Sequence, residues 1–213
     1  MMFQSLSPII PVSSLKEDKN MLKNVKQFNM MVTGTGGQGL ITILQIISEA
    51  AQIEGYDVKT SELHGLSQRG GSVEVYIRFG KKVYSPLIPQ GKADLIIGLE
   101  AQEALKGVYF ANPKTVFLVN KNIIPIPLKK PLNESEILNS LKKISKNIFM
   151  VPAKDICKEK LGTEVVAGTY LLSWAVFKKI IPLEPSSILK ALKKVIPPKH
   201  LELNIKTFEL AKE

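Results

Sequence analysis

Cysteine, histidine and arginine are all scarce in this chain of 213 residues, and each scarcity removes a class of chemistry. The single cysteine, Cys157, excludes an internal disulfide and any four-cysteine zinc or iron–sulfur centre built by this chain alone. Its surroundings, Asp155-Ile156-Cys157-Lys158-Glu159, have the pattern of an amphipathic helix turn, so a buried thiol is expected rather than a nucleophile. This cysteine usage fits a reducing cytoplasm, the expected location. The two histidines, His64 and His200, stand far apart, which argues against a histidine-built metal site. Arginine is confined to Arg69 and Arg78, although the net charge is +10. The excess is lysine, scattered singly and in pairs over the second half, with neither interleaved aromatics nor a nucleic-acid module. Solvated lysine faces are expected, not a nucleic-acid partner, and part of the charge can steer an acidic partner.

Long hydrophobic runs are also missing. The most apolar segment, Glu164–Ile181, contains Leu171, Leu172, Trp174, Val176 and Phe177, but its core between Glu164 and Lys178 falls short of a span. A membrane helix needs roughly 20 apolar residues, so a helix buried in the subunit or its interface is predicted, and no membrane association. Residues 1–20 have no basic start and no continuous apolar core, and Pro8 and Pro11 interrupt their one apolar patch, unlike a secretory signal. Residues 1–22 are expected to form a disordered extension, or translation begins at Met21; residues 23–213 are expected to form one domain. No Ser/His/Asp pattern, no paired catalytic carboxylates and no phosphate-loop lysine is visible.

What is present is concentrated between Gly34 and Gly71. Gly34-Thr35-Gly36-Gly37-Gln38-Gly39 follows an apolar run, Phe28–Val32, and precedes a segment of helical period. Strand, glycine turn and helix in that order are the context of an anion-binding turn, where the helix start offers free N–H groups. Gln38 is placed to donate to a bound phosphate or carboxylate, or to tie the turn to its neighbour. The second block, His64-Gly65-Leu66-Ser67-Gln68-Arg69-Gly70-Gly71, follows the second predicted strand, at the ligand-binding edge of an α/β sheet. Arg69 suits either an anion clamp or an interface salt bridge. His64 is a candidate general acid or base, but with no partner carboxylate or nucleophile evident beside it a structural loop histidine is preferred. Glu62, 23 positions beyond Gly39, stands near the offset of a ribose-binding acid, which keeps a self-sufficient nicotinamide or flavin enzyme open.

The remaining pattern alternates strands and helices: strands at 25–32, 56–63, 72–79, 93–99, 115–120 and 147–151, and helices at 38–54, 101–110, 134–145, 153–161, 164–181, 185–195 and 200–211. Gly80-Lys81 predicts a hairpin turn from Ser72–Phe79 into Val83-Tyr84-Ser85. Pro125, Pro127 and Pro131 mark a surface connection. The fold class is α/β, an open and mostly parallel sheet with flanking helices and an inserted hairpin.

Gly34–Gly39, Glu62–Val73 and Tyr84–Pro89 together resemble the gamma domain of 2-oxoacid:ferredoxin oxidoreductases, above all the beta subunit of the indolepyruvate subfamily. Ala93–Glu100 and Pro198–Asn204 fit the same subfamily, and the resemblance runs from about Lys23 to Ala211. Val165–Thr169 departs from it, standing where an asparagine-containing helix start belongs. The resemblance implies a gamma-type fold and an enzyme that converts an arylpyruvate such as indolepyruvate and coenzyme A to acyl-coenzyme A, CO₂ and reduced ferredoxin. It implies that a large (alpha) subunit carries thiamine diphosphate and [4Fe–4S] clusters, with none bound by this chain alone. It places Gly34, Gly36, Gly37, Gln38 and Gly39, with Ser67, Gln68, Arg69, Gly70 and Gly71, at an anion site or at the junction with that subunit. A non-catalytic interaction subunit of another complex is the remaining alternative.

Overall fold

The structure, a computed structural model, describes residues 25–65, 70–125 and 132–212. The expected extension 1–22, half of the second glycine block (66–69) and Pro127 and Pro131 lie outside the described residues. Six strands form one sheet: β1 (Gln27–Thr35), β2 (Asp57–His64), β3 (Ser72–Gly80), β4 (Leu95–Gly98), β5 (Val116–Asn120) and β6 (Ile148–Val151). Their order across the sheet is β2-β3-β1-β4-β5-β6. β1, β4, β5 and β6 pair in parallel, while β3 is antiparallel to both β1 and β2. One strand thus opposes the other five, and the sheet is open and mostly parallel, as the alternation of elements predicts.

Side chains alternate across the sheet because successive residues of a strand point to opposite faces. Met30, Val32, Leu95 and Ile97 enter one core, and Met31, Ile96 and Phe117 enter the other. The first core is closed by α1 (Leu40–Ile53), which presents Ile43, Ile46 and Ile47, and by α4 (Ala167–Phe177), α5 (Pro185–Val195) and α6 (Pro198–Leu210). Cys157 of α3 (Ala153–Leu161) joins the same core. The second core is covered by a 3₁₀ helix, Glu103–Phe110, and by α2 (Glu134–Lys142). Each fully buried Ile, Leu or Phe in these layers contributes about 1.5–3 kcal/mol of apolar transfer energy. α4 is the helix predicted from the most apolar segment. Every residue from Ala167 to Ser173 is buried, with Ala175 and Val176, so it has no wet face. Among the described residues no helix is long and apolar enough to cross a membrane.

Three local expectations change. The hairpin is made by β2 and β3, not by β3 and Val83–Ser85. β3 already has β1 on one edge and β2 on the other, so no edge remains for a third partner. The 83–87 segment is fastened across the strand ends instead: Val83 N–H donates to Asp57 Oδ2 at 2.9 Å, and Arg78 Nη1 donates to the carbonyls of Ser85 and Leu87, each at 2.7 Å. The helix predicted at 101–110 is a 3₁₀ helix, and it begins only at Glu103. Its first free N–H, that of Glu103, is capped by Glu100 Oε2 at 2.8 Å. α2 also stops at Lys142, short of Ser145, whose hydroxyl instead donates to the Thr115 carbonyl at 2.7 Å.

Cys157 is 0% exposed, and burial pushes its thiol up to about 11. An unfolded thiol loses its proton near pH 8.5, so the folded state holds the proton more tightly. The resulting stabilisation, on the order of 2–3 kcal/mol, is full below about pH 8.5 and is lost as pH rises toward 11. Native protein at pH 8 is expected to resist a thiol reagent until urea is added, and then to titrate as one thiol. Rapid labelling without denaturant contradicts the buried placement, and Cys157→Ala should flatten the alkaline arm of the stability–pH curve.

Candidate functional site

The glycine turn sits at the carboxyl end of β1, the central position from which the chain leaves to either side of the sheet. Gly39 caps α1 in the left-handed conformation, φ 79°, which favours glycine, and no side chain caps the helix start. The first backbone N–H groups of a helix have no partner within it. Gln38 lines one of the clefts that flank the turn and directs its side-chain oxygen into the turn. Its Oε1 accepts from Thr35 N–H at 2.9 Å, and its own N–H donates to the Thr35 carbonyl at 3.2 Å, which closes the turn on itself. Gly34 makes room for this. A Cβ there would stand 2.5 Å from Gln38 Oε1 and 3.2 Å from Leu99 Cβ.

The structure brings the two glycine blocks together. Gly36 N–H donates to the Gly71 carbonyl at 2.9 Å, and Gly65 N–H donates to the Ser72 carbonyl at 3.0 Å. The turn and the ends of the second block thus share one edge, while Ser67, Gln68 and Arg69 lie outside the described residues. His64, at the end of β2, has a partner that the sequence order hid. Glu62 Oε2 lies 3.1 Å from its Nε2, because residues two apart on a strand share a face. The pair is exposed, as suits a surface contact, and no nucleophile stands with it in the described cleft lining.

Two clefts flank the turn. One, about 430 Å³, lies between Gly36–Ile41 and the β2–β3 junction, with His64, Gly65 and Val73. The other, about 390 Å³, lies between Thr35–Gln38, Gly70 and the ends of β4 and β5, and reaches Lys154, Glu164 and Gly168. Asn120, Lys154 and Glu164 escaped the sequence reading. Asn120 is buried and donates to the Leu99 carbonyl at 3.2 Å. Lys154 and Glu164 face each other at 3.0 Å across the rim. A polar residue closing the apolar run Val116–Val119 was the available signal for Asn120; Lys154 and Glu164 are ordinary helix-end charges in sequence. Val165, on the departing segment, is 80% exposed beside them.

The geometry disfavours a dinucleotide site. The amides of Thr35 and Gly36 are already used inside the protein. The strand beside β1 on that side is β3, so Glu62 on β2 is one strand farther out than a ribose-binding acid stands. Among the described residues no group of His, Cys, Asp and Glu is placed to hold a metal ion.

The described residues thus form an open α/β sheet whose glycine turn is closed on itself and tied to Gly71. The pyruvate ferredoxin/flavodoxin oxidoreductase family matches residues 29–213, and the chain belongs to that family. The indolepyruvate oxidoreductase subunit IorB of Thermococcus kodakarensis is 35% identical over 191 residues, covering 87% of this chain and 95% of that one. The gamma subunit of a keto/oxoacid ferredoxin oxidoreductase from Geobacter sulfurreducens superposes with a TM-score of 0.64 at 23% identity, over 87% of this chain and 96% of that one. A 2-oxoglutarate:ferredoxin oxidoreductase from Magnetococcus marinus, with 2-oxoglutarate, coenzyme A and succinyl-CoA bound, superposes with a TM-score of 0.63 at 19% identity. The match covers 88% of this chain but 30% of that longer one.

Gly34 and Gln38 act on one hydrogen bond, so their substitutions should not add. Gln38→Ala should lose about 1 kcal/mol by removing the acceptor for Thr35. Gly34→Ala should lose roughly 1–2 kcal/mol by displacing the same amide and crowding Leu99. In urea unfolding the double variant is expected to fall short of the sum. Strict additivity would show that the two residues do not share the contact.

Proposed function

We propose that this chain is the small subunit of an indolepyruvate or related arylpyruvate ferredoxin oxidoreductase. The observation that carries the reading is the likeness to an indolepyruvate oxidoreductase subunit over nearly the whole of both chains. In the proposed reaction the complex takes a 2-oxoacid, coenzyme A and two oxidised ferredoxins. The carbon–carbon bond next to the carboxylate breaks, CO₂ leaves, and the acyl group joins the coenzyme A sulfur. Two electrons pass to two ferredoxins, and one proton is released.

Thiamine diphosphate and [4Fe–4S] clusters belong on the large (alpha) subunit in this reading. A cluster of this kind takes four thiolates, whereas this chain has one cysteine, buried in its core. The residues here do not fit a cluster, and no step of electron transfer runs through them. Their part is to complete the active-site region from the side. The Gly34–Gly39 turn and the Ser67–Gly71 loop face the large subunit, and Arg69 offers a guanidinium to an anionic group such as a coenzyme A phosphate. The complex works in the cytoplasm, with ferredoxin as its soluble electron carrier.

The test is anaerobic co-expression with the candidate large subunit, followed by arylpyruvate- and coenzyme A-dependent reduction of a viologen dye. Activity that needs both chains is the expected result. Full activity from the large subunit alone contradicts the proposed role. In the active complex, Arg69→Ala should raise the KM for coenzyme A or the 2-oxoacid roughly tenfold, the loss of one charge-assisted contact. Unchanged kinetics with unchanged assembly would discard the anion role of that residue.

A further inference from the structure

We infer that Glu103, acting through Ser72, is a positioning residue that sets Gly71 and the start of β3 against the glycine turn. The inference rests on the reading that the two glycine loops face the partner subunit, and it extends the site to side chains outside both glycine blocks. Glu103 opens the 3₁₀ helix, on the face of the sheet away from α1. Its Oε2 accepts from the Ser72 hydroxyl at 2.6 Å, and Lys106 Nζ lies 2.9 Å from the same oxygen. Lys106 also touches the Ser72 hydroxyl, so Ser72 is held between a carboxylate and an ammonium.

Ser72 is where this grip reaches the site. It is the first residue of β3, paired opposite Thr35 of the turn. The carbonyl just before it, that of Gly71, accepts the Gly36 N–H, and the Ser72 carbonyl accepts the Gly65 N–H. Gly36 and Gly65 are therefore both tied to the start of β3, where Ser72 stands. Glu103 is fixed in turn. Its N–H donates to Glu100 Oε2 at 2.8 Å, and the other Glu100 oxygen accepts from Ile124 N–H at 2.9 Å. Glu100 is 2% exposed, and Leu99 before it packs on Gly34 and donates its N–H to the Thr33 carbonyl at 2.8 Å. The segment Leu99–Glu103 consequently touches the turn, the start of β3 at Ser72 and the connection that carries Ile124, which lines the second cleft. A hydrogen bond to a charged carboxylate is shorter and stronger than a neutral one, which suits a part that must hold a loop with one hydroxyl.

The test reads amide hydrogen exchange at Gly36 and Gly65 in the full chain, then kinetics in the assembled complex. Ser72→Ala and Glu103→Ala should each speed exchange at both amides roughly five- to tenfold, the effect of one lost hydrogen bond. The double variant should be no faster than either alone, because both remove the same contact. Glu103→Gln keeps an acceptor for the hydroxyl and should restore most of the protection. Exchange in α5 and α6 serves as the control. Unchanged exchange at Gly36 and Gly65, or an equal rise throughout the chain, overturns the inference. In the complex, the alanine variants should raise KM for coenzyme A about fivefold with kcat nearly held, and Glu103→Gln should recover it. Faster exchange with unaltered kinetics would make Glu103 structural only and overturn the positioning role. A wild-type complex with no turnover would instead strike the oxidoreductase reading and leave the exchange result to decide the contact itself.

Discussion

The insertion of β3 between β1 and β2 governs the arrangement of the carboxyl edge. A parallel sheet gathers the ends of its strands at one edge, and loops at that edge form the sites of such folds. Because β3 alone runs the other way, its beginning lies at that edge as well. The end of β2 and the start of β3 are therefore laid beside the turn from β1 to α1, and Gly36 can reach the Gly71 carbonyl. In a doubly wound fold, β2 would stand next to β1 and no second loop would meet the turn from this side. The hairpin converts a nucleotide-style turn into one half of a paired structure.

Much of this was legible in the sequence where local pattern and tertiary structure agree. The β1 run, the glycine block and α1 appear in order because apolar alternation and positive-φ glycines leave strong signals. β4 and β5 are readable as short apolar runs covered on both faces. The helix from the segment around Leu171 is equally plain, because its residues are buried all round. The hairpin partner was not legible. Val83–Ser85 has strand composition, but pairing depends on which edges of β3 remain open, and that is a property of the whole sheet. The 3₁₀ geometry of Glu103–Phe110 likewise depends on the cap from Glu100 and on packing against β4.

The site was half legible for a related reason. Glycines at a turn announce themselves by the backbone they permit, whereas Asn120, Lys154 and Glu164 are common residues that become a rim only when β5, α3 and α4 converge. Gln38 was identified as special, but its direction was not. A carboxamide three residues after a free amide can turn inward or outward, and the missing Cβ at Gly34 is what admits the inward choice. His64 and Glu62 illustrate the same point. Considered singly they suggested an acid–base residue and a ribose ligand, and on one face of a strand they are each other's partner.

β2 closes one side of the sheet, and among the described residues no strand neighbours its outer row of backbone groups. A row of this kind is a template on which another copy can grow, and uncovered edges of long flat strands seed fibres. Along β2 stand Asp57, Lys59, Glu62 and His64, paired with one another as Lys59–Asp57 at 2.8 Å and His64–Glu62 at 3.1 Å. Parallel, in-register stacking of a second copy against this strand would bring like charges together and strip water from them. Charge along an edge strand disfavours such growth of the chain on itself.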